Sequence, residues 1–123
     1  MSSKGPHMPN GEEAYLRVVC PIDQDRDAVI GIEIRDGDTV ESLEGLCQTL
    51  MRGVVKEFHH TPWVRTYDVA FGIKDRIRQV FPDRAWFLEV EHNESTWVQI
   101  YYPWNLAHPK EQESHAEIEV HIP

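Results

Sequence analysis

Apolar residues in this chain follow two rhythms, and the switches between them mark out its elements. A period of two runs through Tyr15–Cys20 and again through Ala28–Arg35. In the first, Leu16, Val18 and Cys20 oppose Tyr15, Arg17 and Val19; in the second, Ile30, Ile32 and Ile34 oppose Glu33 and Arg35. Alternation of this kind predicts strands with one buried face. Pro21 closes the first, and the short polar link Asp23-Gln24-Asp25-Arg26-Asp27 joins the two as an antiparallel hairpin. Asp36-Gly37-Asp38 breaks the second strand, and the rhythm lengthens. Leu43, Leu46, Cys47, Leu50, Val54 and Phe58 form a stripe at helical spacing that runs to about His59. Asp38 with Glu41 predicts a capping box at its start, and Thr61-Pro62-Trp63 ends it, because the residue before a proline avoids helical geometry.

A second helix is predicted over Tyr67–Pro82, with Val69, Ile73, Ile77 and Val80 inward and Ala70 and Phe81 widening the face. Asp75, Arg76, Arg78 and Gln79 lie opposite, and Pro82 stops the helix. Phe71 breaks the pattern and is expected to meet a neighbouring loop or another subunit. Period two then returns. Trp86–Glu91 points Trp86, Leu88 and Val90 one way, and His92-Asn93-Glu94-Ser95 turns the chain. In Thr96–Tyr102, Val98, Ile100 and Tyr102 face inward and Trp97, Gln99 and Tyr101 outward. After a polar connection through Lys110–Ser114, Ala116–Ile122 alternates cleanly and is a candidate fifth strand at a sheet edge, with Glu117, Glu119 and His121 protecting it.

The order is ββααββ, which predicts an α+β layer: an antiparallel sheet with both helices on one face and an added C-terminal edge strand. A single domain is expected over 11–106, with a C-terminal extension over 107–123. Residues 1–10 read as a disordered tail, and Gly5-Pro6-His7-Met8 resembles a cloning remnant. The far face of the sheet carries Trp97, Tyr101, Phe87, Tyr15 and Val19, which is apolar enough to suggest assembly.

Composition adds limits. A length of 123 residues with 41% hydrophobic content suits one domain with a core. No apolar run is long enough for a membrane span, and no secretion signal opens the chain, so a cytoplasmic protein is expected. Cys20 and Cys47 make no disulfide framework or metal motif and read as small core residues. With 21 acidic and 12 basic residues the formal charge is −9, which argues against nucleic acid as a partner and suits either solubility or a basic protein partner.

The helix strings carry a resemblance. Asp38-Thr39-Val40 opens the first helix, with Glu44 further on, and Val69-Ala70-x-x-Ile73-Lys74-Asp75-Arg76-Ile77 leads to Phe81-Pro82 and a strand. With the element order, these strings resemble the tunnelling fold (T-fold), most closely dihydroneopterin aldolase, over about residues 14–102. The resemblance implies a ring-shaped homo-oligomer that binds a pterin or purine between subunits. It also implies a ring-binding residue at the start of the second helix, where Tyr67 stands with Asp68 beside it; an N-terminal cap is the alternative role for Asp68. His92 and Glu91, after the third strand, are further candidate ligand-binding residues. The aldolase tyrosine and lysine have no counterparts, since Ser42 and Glu91-His92-Asn93 occupy those places. An enzyme of this type would therefore be a divergent lyase, and its catalytic residues are not readable.

Other chemistry is sparse. His59-His60 could join a metal site only with a third ligand such as His92 or His121, because adjacent helical side chains diverge by about 100°. Glu89, Glu91, Glu94 and His92 are placed for acid–base work or for a solvated hairpin end. No phosphate loop, Ser-His-Asp order or Cys-x-x-Cys motif is present, and no cofactor is expected. Two alternatives stand beside the heterocycle-binding protein. One is an acidic protein-binding module such as an immunity protein, inhibitor or chaperone. The other is a structural subunit that pairs through its last strand.

Overall fold

The computed structural model describes residues 14–58, 64–93, 95–102 and 116–122. Its elements are β1 (Ala14–Pro21), β2 (Arg26–Ile34), α1 (Val40–Phe58), α2 (Thr66–Val80), β3 (Trp86–His92), β4 (Ser95–Tyr102) and β5 (Ala116–His121). The strands form one sheet in the order β4-β3-β2-β1-β5. The α+β class and the ββααββ order are as the sequence predicts. The expectation of a wholly antiparallel sheet is corrected: β5 runs parallel to β1, with Leu16 beside Ile118 and Val18 beside Val120, so the sheet is mixed. Direction explains this. β1 to β4 alternate, so β4 finishes at the end of the sheet where β1 begins, and a chain entering β5 from that end must run alongside β1.

Both helices bury their apolar faces with one side of the sheet. Leu16, Val18, Ile30, Ile32, Trp86 and Leu88 are fully buried there with Cys47, Ala70, Ile73 and Ile77 from the helices. Two stripe positions differ from expectation. Leu46 is 46% exposed and Met51 is buried in the core instead. At 100° per residue, Leu46 and Met51 lie on opposite edges of the face defined by Leu43, Cys47, Leu50 and Val54, each about 70° from its centre, and the Met51 edge is the one turned into the core. Val80 is 39% exposed because it belongs to the last turn of α2, where Phe81 turns into the core in its place. Phe71 lies off the apolar face, as read; within the chain it is exposed and lies 4.9 Å beneath the Lys74 ammonium.

The start of α1 also differs. Thr39 Oγ1 accepts the Ser42 N–H at 3.0 Å and Ser42 Oγ accepts the Thr39 N–H at 3.3 Å, so the reciprocal cap is Thr39/Ser42 and not Asp38/Glu41. Asp38 is drawn elsewhere. It accepts the Arg35 N–H at 2.6 Å and the Arg84 guanidinium at 2.5 Å, which ties the entry of α1 to the residues before β3. Gly37, with φ of +92°, makes the turn between them.

On the far side of the sheet Tyr15, Val29, Ala85 and Phe87 form a second, smaller cluster, with Val19 and Tyr101 packed against it. Tyr15 and Phe87 are already buried within the single chain. Arg17 crosses this face, 3.4 Å from Glu89 and 3.1 Å from Glu119. Among the described residues, no helix is long and apolar enough to cross a membrane.

Candidate functional site

The β1–β2 link is stiffened by its own side chains. The N–H groups of Ile22 and Asp23 both donate to the Arg26 carbonyl, at 2.9 and 3.2 Å, and the Asp25 N–H donates to Asp23 Oδ1 at 2.9 Å. Arg26 then clamps Asp23 Oδ2 through Nε at 2.8 Å and Nη2 at 2.5 Å. Partial burial acts to raise the Asp23 carboxyl, but hydrogen bonds from Arg26 and the Asp25 N–H, with the Arg26 charge, outweigh it and hold the group below the ordinary carboxylate range.

This link is fastened to the β3–β4 turn, where the Asn93 N–H donates to the Asp25 carbonyl at 2.9 Å. Asn93 takes the left-handed conformation, φ +52°, that asparagine tolerates better than most residues. His92 continues the alternation of Trp86, Leu88 and Val90 and so projects to the helix side of the sheet. Trp97 does not follow its own strand's alternation. Val90 pairs with Val98 but Glu91 pairs with Thr96, so Trp97 is the extra residue of a β-bulge. The bulge re-aims the indole, which meets the His92 ring at a centroid distance of 5.5 Å and an angle of 49°. The expectation that Trp97 shares the outer face with Gln99 and Tyr101 is corrected by this shift.

The third wall is the start of α2. Arg65 is its N-cap, and Asp68, three residues on, accepts the Arg65 N–H at 3.4 Å. Thr66 and Tyr67 follow, and Tyr67 is 54% exposed. Between these three segments lies a cleft of about 530 Å³ lined by Asp23, Asp25, Arg26, Val64, Arg65, Thr66, Tyr67, His92 and Trp97. Its size is within the range of small-molecule sites.

Of the residues singled out in the sequence, Tyr67 and His92 meet in this cleft. Asp68 is engaged at the helix cap and is not part of the lining. Glu91 is also absent from the lining; alternation puts it with Phe87 and Glu89 on the far face, opposite His92. That separation breaks up the Glu89–Glu91–His92 grouping. Glu89 is held instead by Arg17 at 3.4 Å and by Gln99, whose Nε2 donates at 2.9 Å. His59 and His60 lie outside the described residues. Among the described residues no three histidine, cysteine or carboxylate side chains are grouped to hold a metal ion.

Asp23, Asp25, Arg26, Arg65 and Trp97 were not expected at the site. Arg65 alone gave a signal, a cation where a helix start favours an oxygen-bearing side chain. The arrangement offers an aromatic surface from Trp97, His92 and Tyr67, with hydrogen-bonding groups at its edges. No protein family, curated protein or solved structure matches this chain.

Proposed function

We propose that this chain is a T-fold-like protein that binds a small planar heterocycle of the pterin or purine type and works as a homo-oligomer. The observation that carries the reading is the convergence of Trp97, His92 and Tyr67 on one cleft beside the Asp25 carboxylate. A flat ring gains by stacking on such side chains, and stacking tolerates many ring types. Asp25 makes no side-chain hydrogen bond or ion pair among the described residues, so its carboxylate is available for ring N–H groups. The element order and the Asp38-Thr39-Val40 string add the T-fold part of the reading. If the protein is an enzyme, it is a divergent pterin-pathway lyase, in which His92 and Tyr67 are the groups able to move a proton at the ring.

Calorimetric titration with pterin, 7,8-dihydropterin and guanosine, paired with light scattering for the native mass, tests the reading. Binding that falls about tenfold or more in Trp97→Ala, consistent with the loss of one stacking contact, supports it. Absence of heat with all three probes overturns the ligand, and a clean monomer overturns the assembly.

A second reading is favoured by one observation: Trp97 is 55% exposed next to Asp23 and Asp25 in a chain of charge −9. An exposed tryptophan with acidic neighbours suits an interface hot spot for a basic protein. A monomer that binds no heterocycle would direct attention to that partner.

A further inference from the structure

Arg65 stands where local physics disfavours it. An N-cap is favoured by Ser, Thr, Asp or Asn, whose oxygen accepts a free N–H, and arginine has no oxygen to offer. A helix start also carries partial positive charge, so a cation there is repelled. Among the described residues Arg65 makes no ion pair, whereas Arg26, across the same cleft, is neutralised by Asp23. Positions that break a local rule without an internal compensation are where function is expected.

Building on the proposal that the cleft takes a planar ring, we infer that its ligand carries an anionic substituent, a carboxylate or a phosphate, and that Arg65 is the residue that selects it. With the Arg26–Asp23 pair cancelled, one guanidinium (Arg65) and one carboxylate (Asp25) are left beside the aromatic surface among the described residues. Asp25 takes the N–H-bearing edge of the ring, and Arg65 takes the anion with its forked donors. Asp25 and Asp23 stand against a second negative group near the β1–β2 link. The anion is therefore accepted on the α2 side, and the ring is oriented by the two unlike charges. A neutral ring would leave Arg65 uncompensated, and a ring with no N–H donor would leave Asp25 so.

Matched probe pairs test this: pterin against pterin-6-carboxylate, and guanosine against guanosine 5′-monophosphate, titrated calorimetrically into the full chain and into Arg65→Gln. The expected result is that the anionic member of at least one pair binds about tenfold tighter, the scale of one charge-assisted contact. That advantage, read as the ratio of the two affinities within each pair, should disappear in Arg65→Gln. Which pair shows it separates a carboxylate from a phosphate. Equal binding of both members of each pair, unchanged by Arg65→Gln, overturns the anion selection and leaves the ring site standing. No binding of any probe overturns both. Arg65 is exposed, so Arg65→Gln should fold, and circular dichroism checks that it does.

Discussion

Phe87 occupies the space that a side chain on Gly31 would need. The two residues are cross-strand partners between β2 and β3, and a Cβ on Gly31 would lie 1.9 Å from Phe87 Cε2. Gly31 is thus the opening in β2 through which the ring covers the sheet. Around it, Arg17 lies 5.8 Å from the Phe87 ring, and the Tyr101 ring packs at 5.8 Å, tilted by 40°. The small cluster on the far face depends on this one missing Cβ.

Gly31→Ala should therefore destabilise the fold by about 2–3 kcal/mol, the cost of forcing extra volume into a packed site. Urea unfolding measures it. Phe87→Ala loses the ring, but in its background Gly31→Ala should cost much less, because the clash has gone. Additive costs in the double-mutant cycle would show that the two residues are not coupled.

Asp38 connects three elements. Its carboxylate holds the Arg35 N–H at the end of β2, and Arg84, which it also holds, donates to the Glu33 carbonyl at 3.1 Å. The Asp38 and Arg84 side chains are 17% and 19% exposed, so the pair is screened less than a surface salt bridge. Asp38→Ala should lose about 2 kcal/mol, since it strands a largely shielded guanidinium and a backbone donor. Asp38→Asn should recover part of that loss by keeping the backbone hydrogen bond. Thermal unfolding of the two variants gives the comparison, and equal losses would assign the whole effect to charge.

Most of the fold was legible because burial imposes a period. Leu16, Val18 and Cys20 alternate with Tyr15, Arg17 and Val19 as read, and Val69, Ile73 and Ile77 reach the core as read. What could not be read depends on partners distant in sequence. Asp38 looked like a cap because Glu41 follows it, but Arg84 lies 46 residues away, and no local rule announces that it will claim the carboxylate. The direction of β5 depends on the path of the whole chain, which its alternation does not encode.

The site was half legible for the same reason. Of the residues that line the cleft, Tyr67 had been singled out through the resemblance and His92 by its place after the third strand. Trp97 was assigned by alternation to the wrong face, because nothing around it, neither glycine nor proline, marks the bulge between Val90 and Glu91 in the pairing. Asp23 and Asp25 read as a turn, and they do build one. Their second role needs the Asn93 turn beside them.

Cys20 and Cys47, both in the core between β1 and α1, give the fold an alkaline limit. Burial, and then the charge of Asp27, pushes the Cys20 thiol from 9.0 up to about 12. Burial, and then Cys20 and Glu44, pushes Cys47 upward as well. Both native thiols thus stay protonated at pH values where the unfolded chain has released those protons. The unfolded state binds fewer protons in that window, so stability falls as pH rises. The contribution is complete below about pH 9 and is lost above it, by at most about 1.4 kcal/mol per thiol for each pH unit. Urea midpoints measured from pH 8 to 10.5 should decline, and the decline should be shallower in Cys20→Ala/Cys47→Ala than in the parent chain. Other titrating groups contribute equally to both proteins, so the difference in slope isolates the thiols. The same burial predicts slow labelling by a thiol reagent at pH 8 until urea is added. Equal slopes, together with rapid labelling of the native chain, would mean that the layer between β1 and α1 opens to water far more easily than its packing implies.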